Sequence, residues 1–134
     1  MKIIPYDKSI GQMSGLRDLI ALRYLNYTID SLPNFGLLVY EKQILVAAGF
    51  VRNVEGGFGF IDSYITNVLA PPSIRDEALS RLTTKLLKVV KHSGVTKLIG
   101  FTTDNHTLLR SLRHGFSQQD YNLITIDLTS VHGV

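Results

Sequence analysis

The sequence predicts an α+β domain of α/β type: a mixed, mostly antiparallel sheet with helices on both faces. Three observations carry this. From Gly36 to Thr66, runs of β-branched and aromatic residues are separated by short polar or glycine-containing breaks, the pattern of an antiparallel meander. From Ser73 to Gly94 the apolar residues switch to helical spacing. Lys97–Thr103 (KLIGFTT) then returns to an apolar run short enough for a buried strand, and the right-handed crossover rule sets it parallel beside the last strand of the meander. At 134 residues, 45% of them hydrophobic, the chain has the size of one domain spanning residues 1–134.

Met1–Tyr6 is a short apolar opening expected as a first strand. Ser9–Tyr27 places Ile10, Met13, Leu16, Leu19, Ile20 and Leu22 at helical spacings, which predicts one or two helical segments interrupted near Gly11 and Gly15. Pro33-Asn34 breaks the chain. Glu41-Lys42-Gln43 and Glu55-Gly56-Gly57 are the two tight connections of the meander.

The chain is organised around Gly59–Leu87. Phe60, Ile61, Tyr64, Ile65, Thr66 and Val68 suit a pleated strand, and Pro71 and Pro72 force it to stop. Ser73 is the expected N-cap of the following helix, with Asp76 in its first turn and Ile74, Ala78, Leu82, Leu86 and Val90 on its buried face. A strand-to-helix junction of this kind presents backbone amides to a phosphate in many α/β enzymes. Downstream, Asp104-Asn105 is expected to cap a short helix, His106–His114, which Gly115 stops, and Asn122–Leu128 reads as a last alternating strand.

Composition narrows the function classes. A formal charge of +3 tolerates an anionic ligand without announcing nucleic acid. No apolar run of about 18 residues and no signal-peptide pattern is readable, so the expectation is a soluble cytoplasmic protein with no membrane partner. The absence of cysteine excludes thiolate catalysis and disulfides. His92, His106, His114 and His132 show no ligand-like spacing, so no metal is expected. Arg81, Lys85, Lys88 and His92 form a basic stripe that reads as a solvated face; a nucleic-acid surface there would show affinity falling steeply with salt.

This element order, with its proline-interrupted junction and a short helix ending in Gly115-Phe116, resembles the GNAT superfamily of acyl-CoA-dependent N-acyltransferases, in a divergent form. The resemblance covers most of the chain and is strongest from Gly36 to Leu128. The family's junction reads Val-x-Pro-x-x-Arg/Gln-x-x-Gly-x-Gly/Ala; here Ala70, Pro72 and Arg75 take the first three marks, and Ala78 and Ser80 stand where the two small residues belong. The segment from Asn105 to Phe116 is similar to the family's segment beside the pantetheine arm.

The resemblance implies a parallel strand pair that splays apart, acetyl-CoA as co-substrate, and a coenzyme site drawn from Val68, Leu69, Ala70, Arg75, Asp76, Glu77, Ala78, Leu79, Ser80 and Asn105. It implies catalytic candidates as well. Asp62 is the candidate base, with Tyr64 beside it and expected on the same strand face. Ser111 stands where many members carry the tyrosine that reprotonates the thiolate, and a serine hydroxyl is a far weaker acid than a phenol. Around Val68 and Ala70 the family binds the pantetheine through backbone amides and carbonyls, and one amide polarises the thioester carbonyl. The acceptor amine, a small molecule or a protein, would meet the early helical region and the loops around Leu32–Phe35 and Tyr121. The acids Asp76 and Glu77 oppose a bound pyrophosphate wherever they face it: a carboxylate about 4 Å from a phosphate costs roughly 1 kcal/mol in water.

Two functions from different classes follow. One is an N-acetyltransferase working by direct attack in a ternary complex. The other is a structural or assembly protein that keeps the fold, has weak or no catalysis and acts through macromolecular contacts. Tyr121–Leu128 would also let a second chain pair with this one, giving a homodimer.

Overall fold

The computed structural model describes residues 1–7, 13–23 and 29–130. It divides the chain into two compact units, Met1–Thr103 and Asp104–Val134. Among the described residues no helix is long and apolar enough to cross a membrane.

The first unit holds a five-stranded sheet in the order β1-β2-β3-β4-β5: β1 (Lys2–Pro5), β2 (Phe35–Glu41), β3 (Ile44–Val54), β4 (Phe58–Thr66) and β5 (Lys97–Ile99). The first four pair antiparallel in sequence order, and β5 pairs parallel with β4. The mixed, mostly antiparallel sheet expected from the sequence is therefore present. β1 pairs with β2 in register Ile3↔Val39 and Ile4↔Leu38. Lys42 and Gln43 turn the first hairpin with φ of 50° and 68°, and Gly56-Gly57 turn the second with φ of 84° and 80°. Two consecutive positive φ values match the right-handed twist of the flanking strands.

One face of the sheet is covered by α1 (Met13–Leu22), whose Leu16, Leu19 and Ile20 are buried with Leu38, Ala48, Phe50 and Ile65. Each such residue contributes about 2 kcal/mol by leaving water. That outweighs the roughly 1 kcal/mol that Gly15 costs inside the helix, so packing rather than propensity holds α1. The rest of the helical region expected over Ser9–Tyr27 lies outside the described residues. Tyr6 packs edge-on against Phe50 with ring centroids 5.1 Å apart; burial, then the negative charge of Asp30, pushes its phenol pKa up.

The opposite face is covered by α2 (Pro72–His92), which buries Ala78, Leu79, Leu82, Leu86 and Val90 against Leu37, Val39, Val46, Ala47 and Val51. The helix ends with Gly94 at φ 92° and the Val95 amide donating to Val90 O at 3.2 Å, which satisfies the last carbonyls.

Two elements differ from expectation. β5 is three residues long rather than the seven of Lys97–Thr103. Asn122–Leu128 forms no strand: among the described residues nothing pairs with it, and Ile124 is 89% exposed. Alternation alone makes no strand without a neighbour to bond.

The second unit contains α3 (Asn105–Arg113), one residue earlier than expected. Asp104 caps it, its Oδ2 accepting from the Thr107 amide at 3.0 Å and the Thr107 hydroxyl at 2.6 Å. Gly115, at φ 95°, closes it, and the Phe116 amide donates to Ser111 O at 3.1 Å.

Candidate coenzyme site

The β4–β5 ladder runs only from Phe58↔Lys97 to Phe60↔Ile99. β4 then continues for six more residues, Ile61–Thr66, paired with β3 on one side and with no strand on the other among the described residues. A gap in the pairing thus follows at the carboxyl ends of two parallel strands, with Gly100 still lying against Ile61; open α/β sheets take their ligands at such ends.

At the end of β4 the chain is organised by Asn67. Its amide donates to Val46 O at 2.9 Å and its Nδ2 to Leu45 O at 3.2 Å, tying the turn to β3. Its Oδ1 accepts from the Leu69 amide at 3.0 Å, and its carbonyl accepts from the Ala70 amide at 3.1 Å. The expectation of free amides around Val68 and Ala70 is therefore corrected: Leu69 and Ala70 donate within the turn, and the Val68 amide is the one that forms no bond with the described residues. Leu69 points its side chain to solvent, 76% exposed.

The helix start also differs from expectation. Pro71, not Ser73, is the N-cap of α2, with no side-chain cap, and Pro72 is the first helical residue. Proline suits that position because its missing amide would have had no partner there. The Arg75 amide donates to Pro71 O at 3.0 Å, so the amides of Ser73 and Ile74 open the helix without intrahelical acceptors. Nε of Arg75 is buried and makes no hydrogen bond among the described residues. Two open amides at the positive end of a long helix, with the cationic Arg75 in the next turn, suit an anion, so the residues present fit a diphosphate.

Because the helix begins at Pro72, Asp76 and Glu77 sit past its first turn. Glu77 pairs with Arg81 at 2.8 Å, pointing along the helix away from its start, while Asp76 is exposed. Ala78 and Leu79 belong to the core. The Ala78 methyl, which stands where the family motif has glycine, faces the sheet and not the helix start. Ser80 lies on the exposed side of α2, and Asn105 opens α3 in the second unit.

The catalytic candidates separate. Phe50 pairs with Ser63 and Val51 with Ile61, so Asp62 is the extra residue of a β-bulge. The bulge breaks the alternation: Ile61 and Tyr64 both pack on the α2 face, and Ile65 faces α1. Asp62 and Tyr64 thus lie on opposite faces, not on one. The Asp62 carboxylate meets the Arg52 guanidinium at 3.1 Å, and Arg52 also donates to the Ser31 carbonyl. The Tyr64 hydroxyl lies 3.1 Å from Thr83 Oγ1, whose own proton goes to Leu79 O at 2.8 Å. Ser111 donates to Thr107 O at 2.8 Å inside α3.

Sequence reasoning missed Asn67 and Arg23. Nε of Arg23 donates to Thr66 O at 3.0 Å and its Nη2 to the Thr66 hydroxyl, pinning the last residue of β4 from the end of α1. For Asn67 the signal was an asparagine directly after a strand, the residue type that makes a side-chain turn of this kind.

No protein-family model matches the chain, and no curated protein matches it in sequence. Solved structures do match. The "Putative acetyltransferase from Agrobacterium tumefaciens str. C58" superposes with a TM-score of 0.69 at 12% identity over 95% of this chain and 100% of that one. The aminoglycoside 6'-N-acetyltransferase AAC(6')-Ih from Acinetobacter baumannii gives 0.65 at 16% identity over 94% and 97%. AAC(6')-Iy, an aminoglycoside N-acetyltransferase solved in complex with CoA, gives 0.63 at 14% identity over 94% and 98%. The chain has the GNAT acyltransferase fold. Beyond Phe60↔Ile99 the parallel strands stop pairing, and Pro71-Pro72 is the strand-to-helix junction at the start of α2.

Proposed function

We propose that this chain is a soluble N-acetyltransferase of the cytoplasm, moving an acetyl or similar group from acetyl-CoA to an amine by direct attack in a ternary complex. The observation that carries this reading is the continuity of three features: a ladder that stops at Phe60↔Ile99, the Asn67 turn, and an uncapped α2 start with the cationic Arg75 in the next turn. Ser73, Ile74 and Arg75 would hold the diphosphate, and the Val68 amide with the unpaired side of β4 would hold the pantetheine arm. The coenzyme supplies an acyl group as a thioester.

The chain's contribution is to align a bound amine with that group and to direct a backbone amide at the developing oxyanion. The C–N bond forms as the C–S bond breaks, the amine's proton passes to water, and the sulfur leaves as a thiolate, a far weaker base than an alkoxide. Such a leaving group needs no strong acid beside it. That accords with Tyr64 and Ser111, whose hydroxyl protons have acceptors within the chain.

A second reading is a GNAT-fold assembly protein without efficient catalysis. It is favoured by the same engagement of Asp62, Tyr64 and Ser111 with partners in their own chain.

Calorimetric titration with acetyl-CoA and with free coenzyme A decides between them. The acyltransferase predicts one saturable site of micromolar strength that Arg75→Glu weakens at least tenfold, about 1.4 kcal/mol. No binding at millimolar ligand retires it in favour of the assembly protein.

A further inference from the structure

Beside the gap, on the face of the sheet opposite α2, Phe60 and Phe101 stack with ring centroids 6.2 Å apart and planes 17° from parallel. Phe60 alternates with Ile61, which faces α2, so Phe60 projects toward the α1 side. Asp62, the bulge residue, projects to that side as well. It pairs there with Arg52, whose guanidinium also binds the Ser31 carbonyl in the 3-10 turn Ile29–Ser31 after α1. Phe101 is 61% exposed, which is unusual for a large ring lying against another ring at a strand end. Asp62 Oδ2 lies 3.1 Å from the Arg52 guanidinium, and the carboxylate is about one-third exposed, open to a second cation.

We infer that the acceptor is a primary amine on an apolar body about the size of an aromatic ring, seated on Phe60 and Phe101 with its ammonium toward Asp62. This rests on the acyltransferase reading and deepens it. If the α2 start holds the diphosphate, the coenzyme occupies the α2 side of the gap, and the second substrate reaches the thioester from the other face. There it meets two ring faces and one carboxylate. Ring faces attract an ammonium and an apolar body alike. A polyhydroxylated acceptor would instead bury hydroxyls against carbon, with few partners to replace water.

The test uses the whole chain, with 2-phenylethylamine and glucosamine as probe acceptors and methylamine as control. Acetyl transfer is followed by release of free thiol, and coenzyme A affinity is measured separately by calorimetry. The expected result is a kcat/KM for 2-phenylethylamine at least tenfold above that for glucosamine. Phe101→Ala should raise the KM for 2-phenylethylamine about tenfold, with a smaller rise for methylamine, which has an ammonium but no ring to seat, and affinity for coenzyme A unchanged, and Phe101→Leu should recover part of the loss. Because Phe101 is mostly exposed, these variants keep the fold. Coenzyme binding together with a preference for glucosamine, or with a KM indifferent to Phe101→Ala, overturns this inference alone. Absence of coenzyme binding overturns the acyltransferase reading, and this inference with it.

Discussion

The Tyr64 hydroxyl is held 3.1 Å from Thr83 Oγ1 on α2, and Thr83 in turn donates to Leu79 O, so the phenol serves as donor between sheet and helix. The ring itself lies over Gly49, where an added Cβ would come within 2.7 Å of it. Both contacts describe a residue that packs β4 to α2. Tyr64→Phe should therefore cost about 1 kcal/mol of stability through the lost hydrogen bond and leave kcat within about twofold. Urea unfolding and acetyl transfer, measured on the same preparation, check this. A variant of normal stability with kcat reduced a hundredfold would make Tyr64 a reacting group after all.

The second unit carries a titrating cap. Hydrogen bonds from the Thr107 hydroxyl and then from the Thr107 amide hold the Asp104 carboxyl below its ordinary value of 3.8. The folded state therefore binds this proton less readily than the unfolded chain. The cap's contribution is complete above the ordinary value and is lost as pH falls through the lower folded value. Cooling the pH from neutral into the range below 3.8 should loosen α3 from its N-terminal end. Asp104→Asn, which keeps an acceptor for the Thr107 amide and removes the titration, should flatten that dependence. Amide exchange at Thr107 and Leu108 across pH reads it directly; identical acid profiles for the two proteins would show that the cap does not contribute.

Most of the fold was legible because its signals are local. Gly56-Gly57 marked a turn, the spacing from Ile74 to Val90 marked a helix, and Pro71-Pro72 marked the junction. What was misread depends on choices between neighbours. Ser73 is the better cap by residue preference, but Pro72 is a good first helical residue, and the helix starts there. Nothing in FGFIDSYIT distinguishes the residue that doubles in the bulge, because Asp62 is extra only relative to Phe50 and Val51 on β3. That single insertion put Asp62 and Tyr64 on opposite faces. Asn122–Leu128 shows the converse: a convincing alternation that lacks a strand to pair with among the described residues.

Asn67 makes the sharpest demand on the candidate site. Four hydrogen bonds meet at this residue, two anchoring it to Leu45 and Val46 of β3 and two shaping Leu69 and Ala70 into the turn that delivers Pro71 to the start of α2. Asn67→Ala keeps the two backbone bonds and removes the two made by the side chain. At about 1 kcal/mol for the partly buried bond to Leu45 and less for the exposed one from Leu69, the loss lies between about 1 and 2 kcal/mol, divided between overall stability and the order of the turn. The acyltransferase reading places the Val68 amide and the α2 start on a single ligand, so loosening the turn between them should weaken coenzyme A binding about tenfold. Asn67→Asp, which retains the acceptor for Leu69 but not the donor to Leu45, should fall between wild type and alanine. Calorimetry with free coenzyme A, set beside urea unfolding, separates the two effects. Alanine-variant affinity equal to wild type, in a folded protein, would show that the turn does not shape the coenzyme site.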